Sequence, residues 1–386
     1  MTKKIIHILC HTLNNDDTLN YHTFGNFASR SARNIIKRTN RYSCEVWIAV
    51  NSLNKNATYR REGVVYRLFP ATTLNKLLES FFGIISSPEM LKSLGKLDPS
   101  NTLISFQGER SLLIHSIIRS YPYFYYTLQY HGYGQPRWLD WLENLLLVPL
   151  ERKTFPYISH FFVHIQPRIK YLRNKIGISS TKITFQNVGV DFDRFKPYDS
   201  KTARTQLGLP QNAYIMLYVG GLVKTKGVDK ILKAHRILKR SHTNIYLLLI
   251  GGQKGDPLYD SAKNTADQVV ETIKNTDMPL YYNACDVYCF FGNMKTIQYA
   301  GIGTAPTEAL ASNSNVISTN LVHIPGYKTK RIGFVPKNFE DFVSKLDFLI
   351  RHPKFRFNAR ETIAPYTSND HMTKNLFKVY DKLFLR

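Results

Sequence analysis

Tyr214-Ile-Met-Leu-Tyr-Val-Gly220-Gly221-Leu-Val-Lys224-Thr-Lys226-Gly227-Val228 is the stretch on which the reading of this 386-residue chain turns. Six apolar or aromatic residues make a run of strand length, two glycines stop it, and two lysines follow on a short loop. Val228, Ile231, Leu232, His235 and Leu238 then recur at helical spacing. A strand with no polar face, followed at once by an amphipathic helix, is the unit of a parallel sheet covered on both sides. The unit repeats. Residues 245–250 form a strand closed by Gly251 and Gly252, residues 287–291 another, and a helix from Thr307 leads to a strand at 315–318. In the first half, apolar runs at 5–9, 44–50, 64–69, 102–106, 123–129 and 160–164 alternate with helical patterns, the first at about 24–38. The fold class is α/β, with two doubly wound domains.

The polar stretch at 190–212, with Pro197, Pro210 and no apolar period, reads as a connector. It divides the chain into residues 1–190 and 191–367. The last segment, 371–385, sets Met372, Leu376, Tyr380 and Leu383 on one face and needs a surface to cover them.

Composition removes several classes. With 43% apolar residues, 24 Tyr and 23 Phe, the chain is no disordered polycation. Cys10, Cys44, Cys285 and Cys289 make neither a disulfide framework nor the paired spacing of a zinc site, which points to a reducing, cytoplasmic setting. The most apolar stretch, 142–150, has about half the ~20 residues that span a bilayer. Any membrane is therefore met at its surface.

The charge of +24 is spread through both halves: 24 bases against 11 acids in residues 1–190, and 28 against 17 in residues 191–386. Two concentrations stand out. Arg30, Arg33, Lys37 and Arg41 lie at helical spacing opposite Ala28, Ala32, Ile35 and Ile36, and residues 152–182 hold seven bases and no acid. The stripe is either an ordinary solvated face or a contact for an anionic lipid surface or other polyanion.

Three segments carry chemistry. The loop from Gly220 to Gly227 aims backbone N–H groups, a helix start and the Lys224 and Lys226 heads at one region, as phosphate sites in α/β folds do, although it is no Walker A loop. Gly301-Ile-Gly303-Thr304-Ala-Pro306-Thr-Glu308 opens a second helix. Its glycines permit close approach of a ligand, and Glu308 either complements the helix dipole or accepts hydrogen bonds from a ribose diol. Asp191-x-Asp193, in Asn187-Val-Gly189-Val190-Asp191-Phe-Asp193-Arg-Phe195-Lys-Pro197, has the form of a metal-binding pair but also of a common turn, and no metal is assigned to it.

In this order and at these separations the segments resemble the retaining glycosyltransferases of the GT-B fold, in particular glycosyltransferase family 4, the glycosyl transferases group 1. Residues 187–197 resemble that family's Asn-Gly-Val-Asp-x-x-x-Phe-x-Pro segment with one residue inserted. Val219-Gly220-Gly221-Leu222 and Lys226-Gly227 resemble its Val-Gly-Arg-Leu and Lys-Gly. Ala284-Cys285-Asp286-Val287 resembles its Ala-x-Asp-Val, and residues 301–308 its Glu-Gly-x-Gly-x-x-x-x-Glu loop. The likeness is close over 187–340 and weak in letters before it, where His131-Gly132 resembles the family's first-domain histidine. The family's Arg beside the donor phosphates falls on Gly221, and the first Glu of its acidic pair on Ala300.

The resemblance implies two Rossmann-like domains facing each other across a cleft, with the closing helix crossing back to the first. It implies a nucleoside-diphosphate sugar as donor, a saccharide or lipid-linked glycan as acceptor, and no metal or other cofactor. Lys226 and Lys224 would hold the diphosphate beside Gly220 and Gly221, with the backbone of Gly301, Gly303 and Thr304 on the same oxygens. Glu308 would hold the ribose and His131 the donor sugar; Tyr133, Arg137 and Trp138 would lie near the acceptor. The alternatives are a catalytically silent binding subunit and a nucleic-acid-binding or DNA-modifying sugar transferase. The basic stripe would face the inner surface of a membrane, and nucleic acid fits less well because the bases are dispersed.

Overall fold

The computed structural model of the protein describes residues 2–10, 26–51, 53–72, 86–108, 111–130, 140–271, 273–293, 303–324 and 332–385. They divide into two compact units: Met1–Gln186 together with Thr373–Arg386, and Asn187–Met372.

The first unit is built on strands β1 (Lys3–Leu9), β2 (Tyr42–Val50), β3 (Ala57–Arg61), β4 (Val64–Pro70), β5 (Thr102–Gln107), β6 (Tyr125–Tyr130), β7 (Ile158–Val163) and β8 (Ile183–Phe185). They form one sheet in the order β3-β4-β2-β1-β5-β6-β7-β8. Ile5 pairs with Cys44 on one side and Leu103 on the other, and every pairing is parallel except that of β3 with β4. β1 and β5 are buried throughout their central residues because helices cover both faces. Helix Phe27–Ile36 packs Ala28, Ala32 and Ile35 against one face. The same face receives the end of helix Asn369–Phe384, whose Leu376, Tyr380 and Leu383 are buried there. Tyr380 donates toward Ser105 Oγ at 3.3 Å, and Tyr42 stacks between Phe377 and Phe384.

The second unit holds β9 (Tyr214–Val219), β10 (Ile245–Ile250), β11 (Gln268–Val270), β12 (Val287–Phe290) and β13 (Asn315–Ser318), all parallel, in the order β11-β10-β9-β12-β13. The chain runs outward from β9 through β10 to β11, then returns to the other side of β9 with β12. This reversal leaves a crevice at the carboxyl ends of β9 and β12, the usual ligand position in open α/β sheets.

The stretch read as a connector differs in part. Residues 200–207 form a helix, Ser200–Leu207, capped by the Asp199 carboxylate on the Thr202 N–H and closed by Gly208. It shows no apolar period because its main buried anchor is charged. Arg204 donates to the carbonyls of Ala284, Gln211 and Ala213 and to Asp286 Oδ2 at 2.7 Å, which also accepts the Ile215 N–H at 2.8 Å. Asp286 thus ties the start of β9 to the entry of β12. With both side chains largely buried, Asp286→Ala should destabilise the second unit by about 3 kcal/mol, seen as a lower urea midpoint, because it strands the guanidinium.

Asp191 is a turn residue here: its Oδ1 accepts the N–H groups of Asp193 and Arg194. Arg360 holds the same segment by donating to the Phe192 carbonyl at 2.6 Å and to those of Phe195 and Ala311.

Candidate functional site

Two loops border the crevice between β9 and β12. The first leaves β9 at Gly220, whose N–H donates to the Ile250 carbonyl at 2.8 Å. The buried Tyr218 hydroxyl donates to the Gly221 carbonyl, and Asp256 Oδ2 accepts the Leu222 N–H at 2.7 Å. These bonds fix the turn without using Lys224 or Lys226, which occupy an exposed single-turn helix, Lys224–Lys226. Lys226 folds back over the glycines. A methyl group built on Gly220 would stand 3.5 Å from Lys226 Nζ, and one on Gly221 would stand 3.9 Å from it and 3.7 Å from Asp256 Oδ2. At Gly221, then, an ammonium and a carboxylate border the space beside the turn.

Gly227 follows in the left-handed region, at φ +76°, and opens helix Val228–Leu238. Its position is set by the far side of the crevice. A Cβ there would meet the Phe291 carbonyl oxygen at 1.7 Å, and Asn293 donates its N–H to the Thr225 carbonyl at 3.2 Å. The lysine loop is thereby fastened to the chain leaving β12.

The second border is helix Thr304–Ala311. Gly303 at its N-cap supplies no side-chain acceptor, there is no acid in the first turn, and Pro306 has no N–H to satisfy. Gly303 is exposed and Thr304 half-buried, so this helix start offers backbone N–H groups to solvent. Thr307 Oγ1 donates back to the Gly303 carbonyl at 2.9 Å. Thr319, just after β13, donates to the Gly292 carbonyl at 3.3 Å, joining this border also to the end of β12.

Glu308 is 7% exposed and turned inward, where Oε2 accepts the Tyr282 hydroxyl at 2.9 Å. Burial, and after it the neighbouring carboxylate, raise the Tyr282 phenol well above its ordinary value, so Tyr282 remains a donor. Glu308 is therefore a held carboxylate rather than a freely solvated one. Nothing in the sequence around Tyr282 marks it as the partner. Cys285 and Cys289 are buried, the Cys285 thiol pushed up to about 12 by burial, and both serve as packing.

The structure brings together Gly220, Gly221, Lys224 and Lys226 on one loop and Gly303, Thr304 and Glu308 on one helix start. His131, Tyr133, Arg137, Trp138, Ala300 and Gly301 lie outside the described residues. Of the basic stripe, Arg33 pairs with Glu62 at 3.4 Å, Arg41 with Asp381 at 3.1 Å, and the Arg30 guanidinium sits 4.5 Å over the Phe27 ring. Lys37 is exposed.

Residues 199–366 match the family described as glycosyl transferases group 1. The capsular polysaccharide biosynthesis glycosyltransferase CapM of Staphylococcus aureus is 24% identical over 204 residues, 50% of this chain and 52% of that protein. The chain spans about half the length, or less, of the curated relatives it matches. Among solved structures, sucrose-phosphate synthase from Thermosynechococcus elongatus superimposes with a TM-score of 0.73 at 16% identity, covering 99% of each chain. Anabaena HepE in complex with UDP and glucose gives 0.68 at 12% identity, over 98% of this chain and 100% of that one.

Proposed function

We propose that this chain, whose residues 199–366 match the glycosyl transferases group 1 family and which has the GT-B fold of two Rossmann-like domains, transfers a sugar from a nucleoside-diphosphate sugar to a saccharide or lipid-linked glycan, with retention of anomeric configuration. The observation that supports this most is that an exposed lysine loop and a helix start with no side-chain cap among the described residues border one strand-end crevice. HepE, a structural neighbour, is a complex with UDP and glucose.

In this reading the hard step is stabilising the diphosphate as it departs. Lys226, with Lys224 beside it, supplies positive charge, and the Gly303 and Thr304 N–H groups supply fixed dipoles, so no metal is required. Gly220, Gly221 and Gly301 allow the backbone to approach the phosphates. Glu308, already oriented by Tyr282, accepts from the ribose hydroxyls, and His131 contacts the donor sugar. Gly221 replaces the arginine of the resembling family; that loss of about 1.5–3 kcal/mol of charge-assisted contact retunes donor binding, and Lys224 offsets part of it. The same substitution favours the second reading, a silent binding subunit.

The test is incubation with a panel of radiolabelled nucleoside-diphosphate sugars and glycan acceptors in the presence of chelator. Acceptor-dependent release of nucleoside diphosphate, with an axial or equatorial product bond matching the donor's by NMR, is expected. Donor binding without turnover on any acceptor would favour the silent subunit.

A further inference from the structure

Five of the nine large hydrophobic side chains that the described residues expose lie in one region of the first unit: Tyr123, Trp141, Leu145, Leu146 and Tyr157. Helix Asp140–Thr154 organises them. Leu147, Glu151 and Thr154 are turned inward and buried, and Tyr171 donates its hydroxyl to the Glu151 carboxylate. The opposite face, at four-residue spacing, carries Trp141 (67% exposed), Leu145 (64%), exposed Pro149 and Lys153, with Arg152 and Leu146 (51%) beside them. This is the reverse of an ordinary surface helix, which hides its apolar stripe and shows its acid to water. A groove of about 560 Å³ adjoins the face, floored by Ile118, Leu146 and Leu150 and edged by Arg119, Lys153 and Tyr157.

Among the described side chains of residues 111–186, the exposed charges have one sign. From residue 111 to 186 the only acid with a described side chain is the buried Glu151, whereas Arg119, Arg152, Lys153, Arg173 and Lys175 are exposed. Arg152 Nε donates to the Lys175 carbonyl at 2.8 Å, which brings the second basic segment alongside the helix. Exposed Trp and Leu amid Lys and Arg is the composition of a helix that lies in the headgroup layer of an anionic bilayer. A second copy of the chain is a poor occupant, because two copies of this face would set the same cations against each other in a molecule of charge +24.

We propose that this face docks the protein on an anionic lipid bilayer, with Trp141, Leu145 and Leu146 entering the acyl boundary and Arg119, Arg152 and Lys153 on the headgroups. The stripe on helix Phe27–Ile36 is not the docking element, since Arg33 and Arg41 are committed to Glu62 and Asp381. Why the protein would dock rests on the lipid-linked acceptor proposed above; the docking itself does not.

The experiment is co-sedimentation of the full chain with phosphatidylglycerol and with phosphatidylcholine vesicles, at low and high salt, with uridine-diphosphate binding measured in parallel. Binding to the anionic vesicles alone is expected, weakened by salt. Leu145→Glu with Leu146→Glu should reduce it by about tenfold or more, as should Arg119→Glu with Lys153→Glu, while Lys37→Glu leaves it unchanged. All these side chains are exposed, so circular dichroism and nucleotide binding should match the unmodified protein. Equal binding by the Leu145→Glu, Leu146→Glu protein overturns the proposal. So does a concentration-dependent dimer, seen by sedimentation velocity, that those substitutions dissociate while vesicles recruit nothing. Loss of turnover with intact vesicle binding would instead count against the transferase reading alone.

Discussion

Lys226→Ala is expected to lower kcat/KM for the nucleotide-sugar donor by about 10²- to 10³-fold, with the chain folded as before. The magnitude is that of one preorganised charge removed from a developing anion, about 3–4 kcal/mol. The fold is spared because the ammonium does none of the local structural work: Tyr218 and Asp256 hold the Gly221–Leu222 turn, and Gly227 closes the Lys224–Lys226 turn through its N–H to the Lys224 carbonyl at 2.9 Å. The side chain is exposed and lies over Gly220, so its removal opens no core cavity. Lys224→Ala should cost less, about tenfold, since among the described residues the ammonium that lies over the glycines is that of Lys226, not Lys224. Lys226→Arg, which keeps the charge but changes its shape, should recover part of the loss. Steady-state kinetics with varied donor would check this. Unchanged kcat/KM in Lys226→Ala would remove the lysine from the diphosphate site, and with it the central step of the proposed mechanism.

How far such a site can be read from letters depends on what each element buries. β9 and β10 begin and end where the apolar runs do, since a strand covered on both faces leaves no room for a polar interruption. β3 has no such signature: Ala57-Thr-Tyr-Arg-Arg61 is an antiparallel edge strand, mostly exposed, so nothing demands apolar letters. Helix Ser200–Leu207 escaped for the converse reason, its anchor being a guanidinium satisfied by three carbonyls and Asp286, contacts made with residues about 80 positions away or on the next turn of chain. The glycine and lysine letters of the site are visible because backbone approach and charge need those residue types wherever they occur. Their supports are not. Tyr282 reaches Glu308 across 26 residues, and Asp256 reaches Leu222 across 34; only the folded chain pairs them.

Gly227 shows the same distinction at a single position and carries the largest stability effect expected in the protein. Gly227→Ala should destabilise the second unit by more than about 4 kcal/mol, enough to leave it unfolded or aggregated at 37 °C. A left-handed backbone angle alone would cost an alanine only about 1–2 kcal/mol. Gly208, at φ +65° with nothing within 4 Å of its added methyl, isolates that term, and Gly208→Ala should lose no more than this. At Gly227 the methyl would lie 1.7 Å from the Phe291 carbonyl oxygen and 2.2 Å from its carbon, and both are backbone just past the end of β12, the neighbour of the sheet's central strand. No rotamer change relieves such a contact. Either the loop carrying Lys226 lifts away from β12, breaking the Asn293 to Thr225 bond, or β12 itself is displaced. Urea unfolding followed through the second unit should separate the two variants by several kcal/mol. If they unfold alike, the loop is not locked against β12, and the close approach that positions Lys226 at the crevice is not a requirement of the fold.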